Sequence, residues 1–325
     1  MKKLLASCSH FRASKAPKPA AVPDMLYVII PVHNRRAITC QCLTRIQSIL
    51  PLGVAVVVVD DGSTDGTAQA VRQQFPWVHL ILGNGNLWWS GGVNAGIRYA
   101  LAHAATAVMT MNDDTLPTRC LFEGMLEQHK NTPHIILGAL EIDARLGQVF
   151  SAGDRINWWT GKSYPVSYGK QKGELKGLAP VTHLPGRGLL IPAEVFKRVG
   201  LFDEDRLPQT VADYDFTHRA RRAGFGVYCN YDAPLEMFPD MTAAHRLRKE
   251  RSWKAYRQNL FGIRGDANLK FFTIFAIKNC PTFCLPTFLA IGYAQRLLGY
   301  WLRRPIPRDG RSWKATKDVS IEVNR

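Results

Sequence analysis

Short, continuous apolar runs recur along the first half of the chain, each followed by a segment whose apolar residues return every three or four positions. The runs at 26–31 (LYVIIP), 55–60 (AVVVVD), 78–82 (VHLIL) and 107–111 (AVMTM) have the unbroken apolar character of parallel strands buried on both faces. Between them, 38–50, 67–75, 93–103 and 118–129 carry helical spacing; Ala37, Cys40, Ile46 and Ile49 mark the stripe of the first, and Ser63 or Thr64 is placed to cap the second. The glycine-rich stretch 83–92 reads as a loop. This strict alternation of strand and helix predicts an α/β, doubly wound sheet.

From 135 onward the rhythm changes. Strands are expected at 135–140, 147–151, 186–191 and 226–231, helices at 193–199 and 213–223, and a polar excursion with Trp158 and Trp159 fills 157–178. The second half therefore adds strands and a long loop to the same sheet, making it mixed, and no linker or repeat interrupts it before about residue 245. Beyond that point a basic helical stretch, RLRKERSWKAYRQNLFGIR, leads into an apolar region at 271–302. Its longest uncharged run, 279–295, contains Pro281 and Pro286. That is short and broken for a transmembrane helix, which needs about 20 apolar residues. An interfacial amphipathic segment flanked by Arg and Lys is favoured over a hairpin packed on the domain. Three regions follow: 1–24, a basic start rich in Ala, Pro and Lys and expected to be disordered; 25–245, the α/β domain; and 246–325, a helical, membrane-associating extension.

The composition, 46% hydrophobic and 21% charged, is ordinary for a globular core, but the formal charge of +16 is not. Residues 25–244 carry 20 basic and 20 acidic side chains, whereas 245–325 carry 17 basic against 5 acidic. Basic tails suit an anionic membrane surface or a nucleic acid. No nucleic-acid-reading motif accompanies them, and the C-terminal charges are interleaved with apolar runs, so the membrane surface is the expected partner and nucleic acid is not. The 7 cysteines are odd in number, lack a CxxC pair and sit in apolar or helical contexts, as reduced thiols do. The segment LLASCSHF is too short and polar for a signal-peptide core. A cytoplasmic protein, peripherally associated with the inner membrane, is expected.

Candidate chemistry lies in acidic clusters at or near strand ends: Asp60-Asp61, Asp113-Asp114, and Asp213 with Asp215. Open α/β sheets bind ligands outside the carboxyl ends of their strands. Carboxylates gathered there repel one another unless a cation, or an anion held through one, sits among them. A nucleoside diphosphate chelated by a divalent metal fits. At the tight turn after 55–60, an aspartate can accept the imide N–H of uracil or thymine, and the sequence does not separate Asp60 from Asp61 for that task. A calcium loop on Asp61, Ser63, Asp65 and Gly66 fails because its twelfth position is Arg72 rather than Glu. A dinucleotide fingerprint at Gly83-Asn84-Gly85 fails because Trp88 stands where its third glycine belongs. Trp88 and Trp89 suit either a core or a stacking face for a sugar ring.

Six segments taken in order resemble the family 2 inverting glycosyltransferases of GT-A fold: VIIPVHNR (28–35), VVVVDDGSTDGT (56–67), GNLWWSGGVNAGI (85–97), MNDDTLP (111–117), GRGLLIPAEVFKRVGLFDE (186–204) and DYDFTHRARRAGF (213–225). The resemblance implies that Pro31, His33, Asn34 and Arg35, with Asp60, Asp61 and Ser63, surround the nucleobase and diphosphate. It sets Asn112-Asp113-Asp114 at the family's DXD motif, which binds Mg2+ or Mn2+. Asn112 departs from that pattern, leaving Asp114 as the metal ligand and Asp113 facing ribose or sugar. It makes Asp213 the general base, in a Glu-Asp-x-Asp-like motif whose Glu is here Ala212. It assigns His245 to a late metal or diphosphate contact, and Trp88, Trp89, Arg187 and Asp215 to the sugar or acceptor. On spacing alone Asp213 also suits an N-cap, and Asp215 an i,i+4 partner for Arg219. The implied activity moves a sugar from a UDP- or dTDP-linked donor to a hydroxyl of a lipid-linked or polysaccharide acceptor, as in bacterial surface-polysaccharide assembly and rhamnosyl transfer. A nucleotidyltransferase would want a glycine-rich loop after the first strand, and PVHNRR has no glycine. A non-catalytic sugar-binding relative is the remaining alternative.

Overall fold

The computed structural model describes residues 25–238 and 252–302, so the expected N-terminal tail and His245 lie outside the described residues. A mixed sheet forms the centre. Its path begins at β10 (Leu178–Pro180) and runs through β12 (Gly226–Met237), β6 (Ile135–Asp143), β11 (Leu189–Pro192), β4 (Ala107–Thr110), β1 (Leu26–Val32) and β2 (Val54–Asp60) to β3 (His79–Leu82). Strands β4, β1, β2 and β3 are parallel to one another, and β11 runs antiparallel between β4 and β6. The start of β11 therefore lies at the same rim as the ends of the parallel strands and of β6. Off this path, β5 (Thr115–Pro117) pairs with β12, and β7 (Val149–Ser151) with β6.

Alternate strand residues face opposite sides, and each side collects its own helices. Leu26, Val28, Ile30, Val56 and Val58 pack against α1 (Arg36–Ile49), α2 (Thr67–Gln74) and α4 (Arg119–Asn131) through Leu43, Ile46, Val71, Phe122 and Met125. Tyr27, Ile29, Val57 and Val59 pack against α3 (Trp88–Ala102), α5 (Ala193–Val199) and α6 (Ala212–Arg222) through Val93, Ile97, Phe196 and Phe216. Each such side chain, fully buried, stabilises by about 1.5–3 kcal/mol relative to exposure.

Helix α3 begins at Trp88, five residues before the expected start, so half of the glycine-rich stretch is helical rather than loop. Close packing is the reason. A Cβ on Gly96 would lie 2.4 Å from Cγ2 of Ile29, and one on Gly92 would lie 3.0 Å from Cβ of Pro31. The glycines let α3 lie directly on β1, and that burial outweighs their poor helix propensity. Strand β12 also runs six residues past its expected end, through an irregularity between Asn230 and Pro234, to pair with β5 and the end of β6.

The polar excursion holds a separate hairpin, β8 (Asp154–Asn157) with β9 (Lys162–Pro165). At the C-terminal end come α7 (Trp253–Phe261), α8 (Leu269–Asn279) and α9 (Leu285–Leu302). Phe272, Phe275, Ala276, Cys280, Cys284 and Phe288 form a third core, against Ile156 and Trp158 of the β8–β9 hairpin and Val211 and Tyr214 beside the sheet domain. Residues 269–302 thus form a helical hairpin packed on the domain, the arrangement ranked second from sequence. Phe271, Phe272 and Phe275 supply the inward face of α8. No described helix is long and apolar enough to cross a membrane.

Candidate active site

The end of β1 and the turn after β2 are tied into one unit. Nδ1 of His33 lies 2.6 Å from the carbonyl oxygen of Asp61. The backbone N–H of Asn34 donates to Oγ of Ser63 at 2.8 Å, and Oδ1 of Asn34 accepts from the N–H of Thr64 at 2.7 Å. These contacts hold Asn34 at φ 52, in the left-handed region where Asn is several-fold enriched.

The neighbouring aspartates then take different parts. Asp61 accepts from the backbone N–H groups of Gly85 at 2.8 Å, Leu87 at 2.9 Å and Trp88 at 3.1 Å. It caps α3 from a distance and holds Trp88 at φ 55. Both of its oxygens are engaged. Asp60 uses Oδ1 to accept from the N–H of Ser63 at 2.9 Å, while its Oδ2 is buried with no partner. Such an atom carries a desolvation cost that a ligand donor can relieve.

After β4, Asp113 and Asp114 share one guanidinium. Nη1 of Arg35 lies 2.9 Å from Oδ1 of Asp113, and Nη2 lies 3.1 Å from Oδ2 of Asp114. Oγ1 of Thr39 donates to the other oxygen of Asp113 at 3.0 Å. Burial raises the Asp113 carboxyl to about 6 despite the opposing charge of Arg35. Asn112 supplies no carboxylate; its Oδ1 accepts from Nε1 of Trp89 at 3.1 Å. Trp89 packs edge-on against Phe202, and a Cβ on Gly186 would sit 2.4 Å from its ring. Trp89 is therefore a half-buried wall of the rim, and Trp88 lies under the guanidinium of Arg264, whose Cζ is 5.7 Å from the ring centre.

The antiparallel β11 brings the third cluster to this rim. Oγ1 of Thr110 donates to the carbonyl of Gly186 at 2.6 Å, and the N–H of Gly186 donates to Oδ2 of Asp213 at 2.8 Å. Oδ1 of Asp213 accepts from the N–H of Tyr214 at 2.9 Å. Burial raises this carboxyl above its ordinary value, while the two N–H groups favour its ionised form. The hydroxyl of Tyr214 donates to Asp154 of β8 at 3.0 Å, and its ring packs on His183 at 4.1 Å.

Arg187 and Asp215 are each paired with other side chains of the protein. Arg187 forks onto Glu141, Nη2 to Oε2 at 2.7 Å and Nε to Oε1 at 3.2 Å. Glu141 is fully buried at the end of β6, where the charges of Asp213 and Asp114 both bear on it. The pair joins the donor-side and base-side clusters across one rim. Glu141 obeys the same strand-end rule as the other carboxylates, and applying that rule to 135–143 would have found it. Asp215 has no exposed surface and is paired with Arg219 and Lys278, so its expected acceptor contact gives way to a packing role.

Among the described residues, no group of three or more His, Cys, Asp or Glu gathers to hold a metal. Asp114 nevertheless offers a hard carboxylate donor at the rim, 11% exposed, which suits a cation that takes its remaining ligands from a diphosphate. A cavity of about 390 Å3 beside Pro208, Leu260 and Lys270 includes none of the rim carboxylates.

This sheet, with its acidic rim where β1, β2, β4 and β11 meet, is a GT-A fold. It is similar to a mannosyltransferase from Pyrobaculum calidifontis, solved in complex with GDP-Man and Mn2+, at 20% identity over 87% of this chain and 72% of that one, with a TM-score of 0.53. It is also similar to GalNAc-T7, solved with UDP, GalNAc and Mn2+, at 13% identity over 83% of this chain and 57% of the other, with a TM-score of 0.54. Residues 27–196 match glycosyl transferase family 2, and the chain belongs to that family. Among curated proteins, it is 28% identical to the N-acetylglucosaminyl-diphospho-decaprenol L-rhamnosyltransferase of Mycobacterium tuberculosis over 53% of this chain. It is 27% identical to the low-salt glycan biosynthesis hexosyltransferase Agl10 of Haloferax volcanii over 54% of this chain. The matches span 62% and 56% of the lengths of these relatives. Family membership removes the nucleotidyltransferase alternative.

Proposed function

We propose that this chain is an inverting glycosyltransferase that moves a rhamnosyl or hexosyl residue from a UDP- or dTDP-linked donor to a hydroxyl of a lipid-linked acceptor. One observation carries the reading. A carboxylate of raised basicity, Asp213, shares a rim with the Arg35–Asp113–Asp114 cluster, with the Glu141–Arg187 pair between them. The names of the curated relatives support the sugar and the acceptor class.

The nucleobase would lie against Pro31, with its imide N–H on the unpartnered oxygen of Asp60. Arg35 and Asp113 would face the diphosphate and ribose. Asp114 would hold a divalent cation, Mg2+ or Mn2+, as the solved neighbours carrying Mn2+ suggest. When bound, such an ion neutralises charge developing on the leaving diphosphate. Asp213 takes the proton from the acceptor hydroxyl. The oxygen then attacks the anomeric carbon on the face opposite the diphosphate, whose C–O bond breaks with inversion. Trp89, held by Asn112, would form the wall behind the sugar.

The C-terminal hairpin would rest on an anionic membrane. Its outward residues include Ile277, Phe283 and Leu298, 63%, 69% and 57% exposed, on a region rich in Lys and Arg. Lipid vesicles containing phosphatidylglycerol should carry the protein down on centrifugation, and the double substitution Phe283→Ser, Leu298→Ser should leave it in the supernatant. Equal sedimentation of both proteins would remove the membrane role.

A panel of nucleotide sugars tests the central reading. A UDP- or dTDP-linked donor should raise the melting temperature and be hydrolysed slowly in the presence of Mn2+ or Mg2+, and a chelator should abolish turnover. Silence across the panel would leave the non-catalytic sugar-binding relative as the better account.

A further inference from the structure

The first turn of α6 carries Asp213 toward the rim and meets the C-terminal hairpin on its other side. Val211, immediately before this helix, stands at φ 57. A β-branched residue rarely adopts that left-handed conformation, and it persists where the surroundings over-determine it. The hairpin supplies part of those surroundings: Val211, which also touches the sheet core, and Tyr214 both pack against the cluster of Phe272, Phe275 and Phe288.

A buried polar network completes the attachment. Nζ of Lys278, near the end of α8, lies 2.9 Å from Oδ2 of Asp215 and 2.5 Å from Oδ2 of Asp203. Nδ2 of Asn279 donates to Oδ1 of Asp215 at 2.8 Å. Arg219 adds Nε to the same carboxylate at 2.9 Å, and Arg222 of α6 donates to the carbonyl of Lys278 at 3.1 Å. Asp215 has no exposed surface and Asn279 is 3% exposed. The residues flanking Asp213 are thus fixed by side chains from more than sixty positions further along the chain.

We propose that Lys278 and Asn279 are positioning residues for sugar transfer: through Asp215 they fix the helix that presents Asp213, making the C-terminal hairpin part of the catalytic apparatus as well as an outer surface. This rests on the reading of Asp213 as the base. A general base must lie within hydrogen-bond reach of the hydroxyl it deprotonates, and a displacement of about 1 Å can cost ~100-fold in rate. The donor side is built on β1, β2, β4 and α1, so its affinity should not follow.

The test compares donor affinity with turnover in the full chain, using dTDP-L-rhamnose or UDP-glucose with Mn2+ and a short-chain N-acetylglucosaminyl-diphospholipid. Lys278→Met should lower kcat about 10–100-fold while nucleotide affinity and donor KM stay within about twofold, and Lys278→Arg should recover most of the rate. Asn279→Ala, which removes only one amide, should lower kcat about 3–10-fold and decides the matter if Lys278→Met does not fold. Wild-type kcat in a folded Lys278→Met, or in Asn279→Ala, would overturn the positioning role alone. Nucleotide binding without turnover in the unmodified chain would overturn the base assignment and this proposal with it.

Discussion

On the donor side of the cleft, the groups proposed to face the ligand follow directly on the parallel strands that carry them: Pro31 to Arg35 at the end of β1, Asp60 at the end of β2, Asp113 and Asp114 after β4. On the base side, Asp213 stands on a helix and is held by Gly186 from the turn before an antiparallel strand, with its neighbours fixed by Asp154 from the β8–β9 hairpin and Lys278 from the C-terminal hairpin. One side repeats a single βα plan; the other assembles parts from four places. The donor side should therefore bind nucleotide even when the base side is damaged, and the reverse damage should spread further.

The sharpest division comes from Asp213→Asn. Transfer should fall by about 10²–10⁴-fold, the usual value of general base catalysis, with nucleotide affinity unchanged by calorimetry. A joint loss of both would mean that the two sides are not separable. Next in size, Arg35→Ala leaves Asp113 and Asp114 facing each other without their shared cation. Arg35 is 30% exposed, so the stability cost should be about 1–3 kcal/mol, below that of a fully buried pair, with donor affinity falling by tenfold or more. A thermal melt and a donor titration on one preparation measure both.

The two neighbouring aspartates offer a finer contrast. Asp60→Asn should weaken nucleotide binding about tenfold, the worth of one hydrogen bond to a charged group, and barely change stability. Asp61→Ala should instead cost about 1–2 kcal/mol of stability, because α3 loses its cap. Reversal of these phenotypes would exchange their roles.

The smallest effect is one of pH. Burial raises Asp113 to about 6, against an ordinary aspartate value of ~3.9. Between those values the folded chain keeps a proton that the unfolded chain has released, so this group's contribution to stability falls as pH rises through the window. Below about 6 the neutral carboxyl also loosens its hold on Arg35. Donor affinity should fall as pH drops through that value, and Asp113→Asn should flatten both profiles. Unchanged profiles in the variant would place the titration elsewhere.

The strands of the donor side and the carboxylates at their tips were legible in the sequence because contiguous apolar runs ending in Asp or Asn mark both. Asp213, the proposed base, was legible only through its motif. For Asp215 the i,i+4 pairing with Arg219 expected from spacing is present, while its other partners, Lys278 and Asn279, lie 63 and 64 positions away, which no local spacing reveals. Glu141 was passed over because a single acid at a strand end looks ordinary until the antiparallel neighbour brings Arg187 onto it. The loop expected at 83–92 became helix for a similar reason: Asp61 and the flat contact with β1, both distant in sequence, favour α3 more than its glycines oppose it.

The chain by itself determined which segments would be strands and helices through the first four βα units, where carboxylates would cluster, and the family to which those clusters belong. Folding alone decided which of two adjacent aspartates keeps a free oxygen, whether the C-terminal apolar region packs on the domain, and what holds the helix bearing Asp213. The physical reason is range: periodicity and capping act over a few residues, whereas the burial of a charge is settled by whichever distant side chain arrives to pair with it.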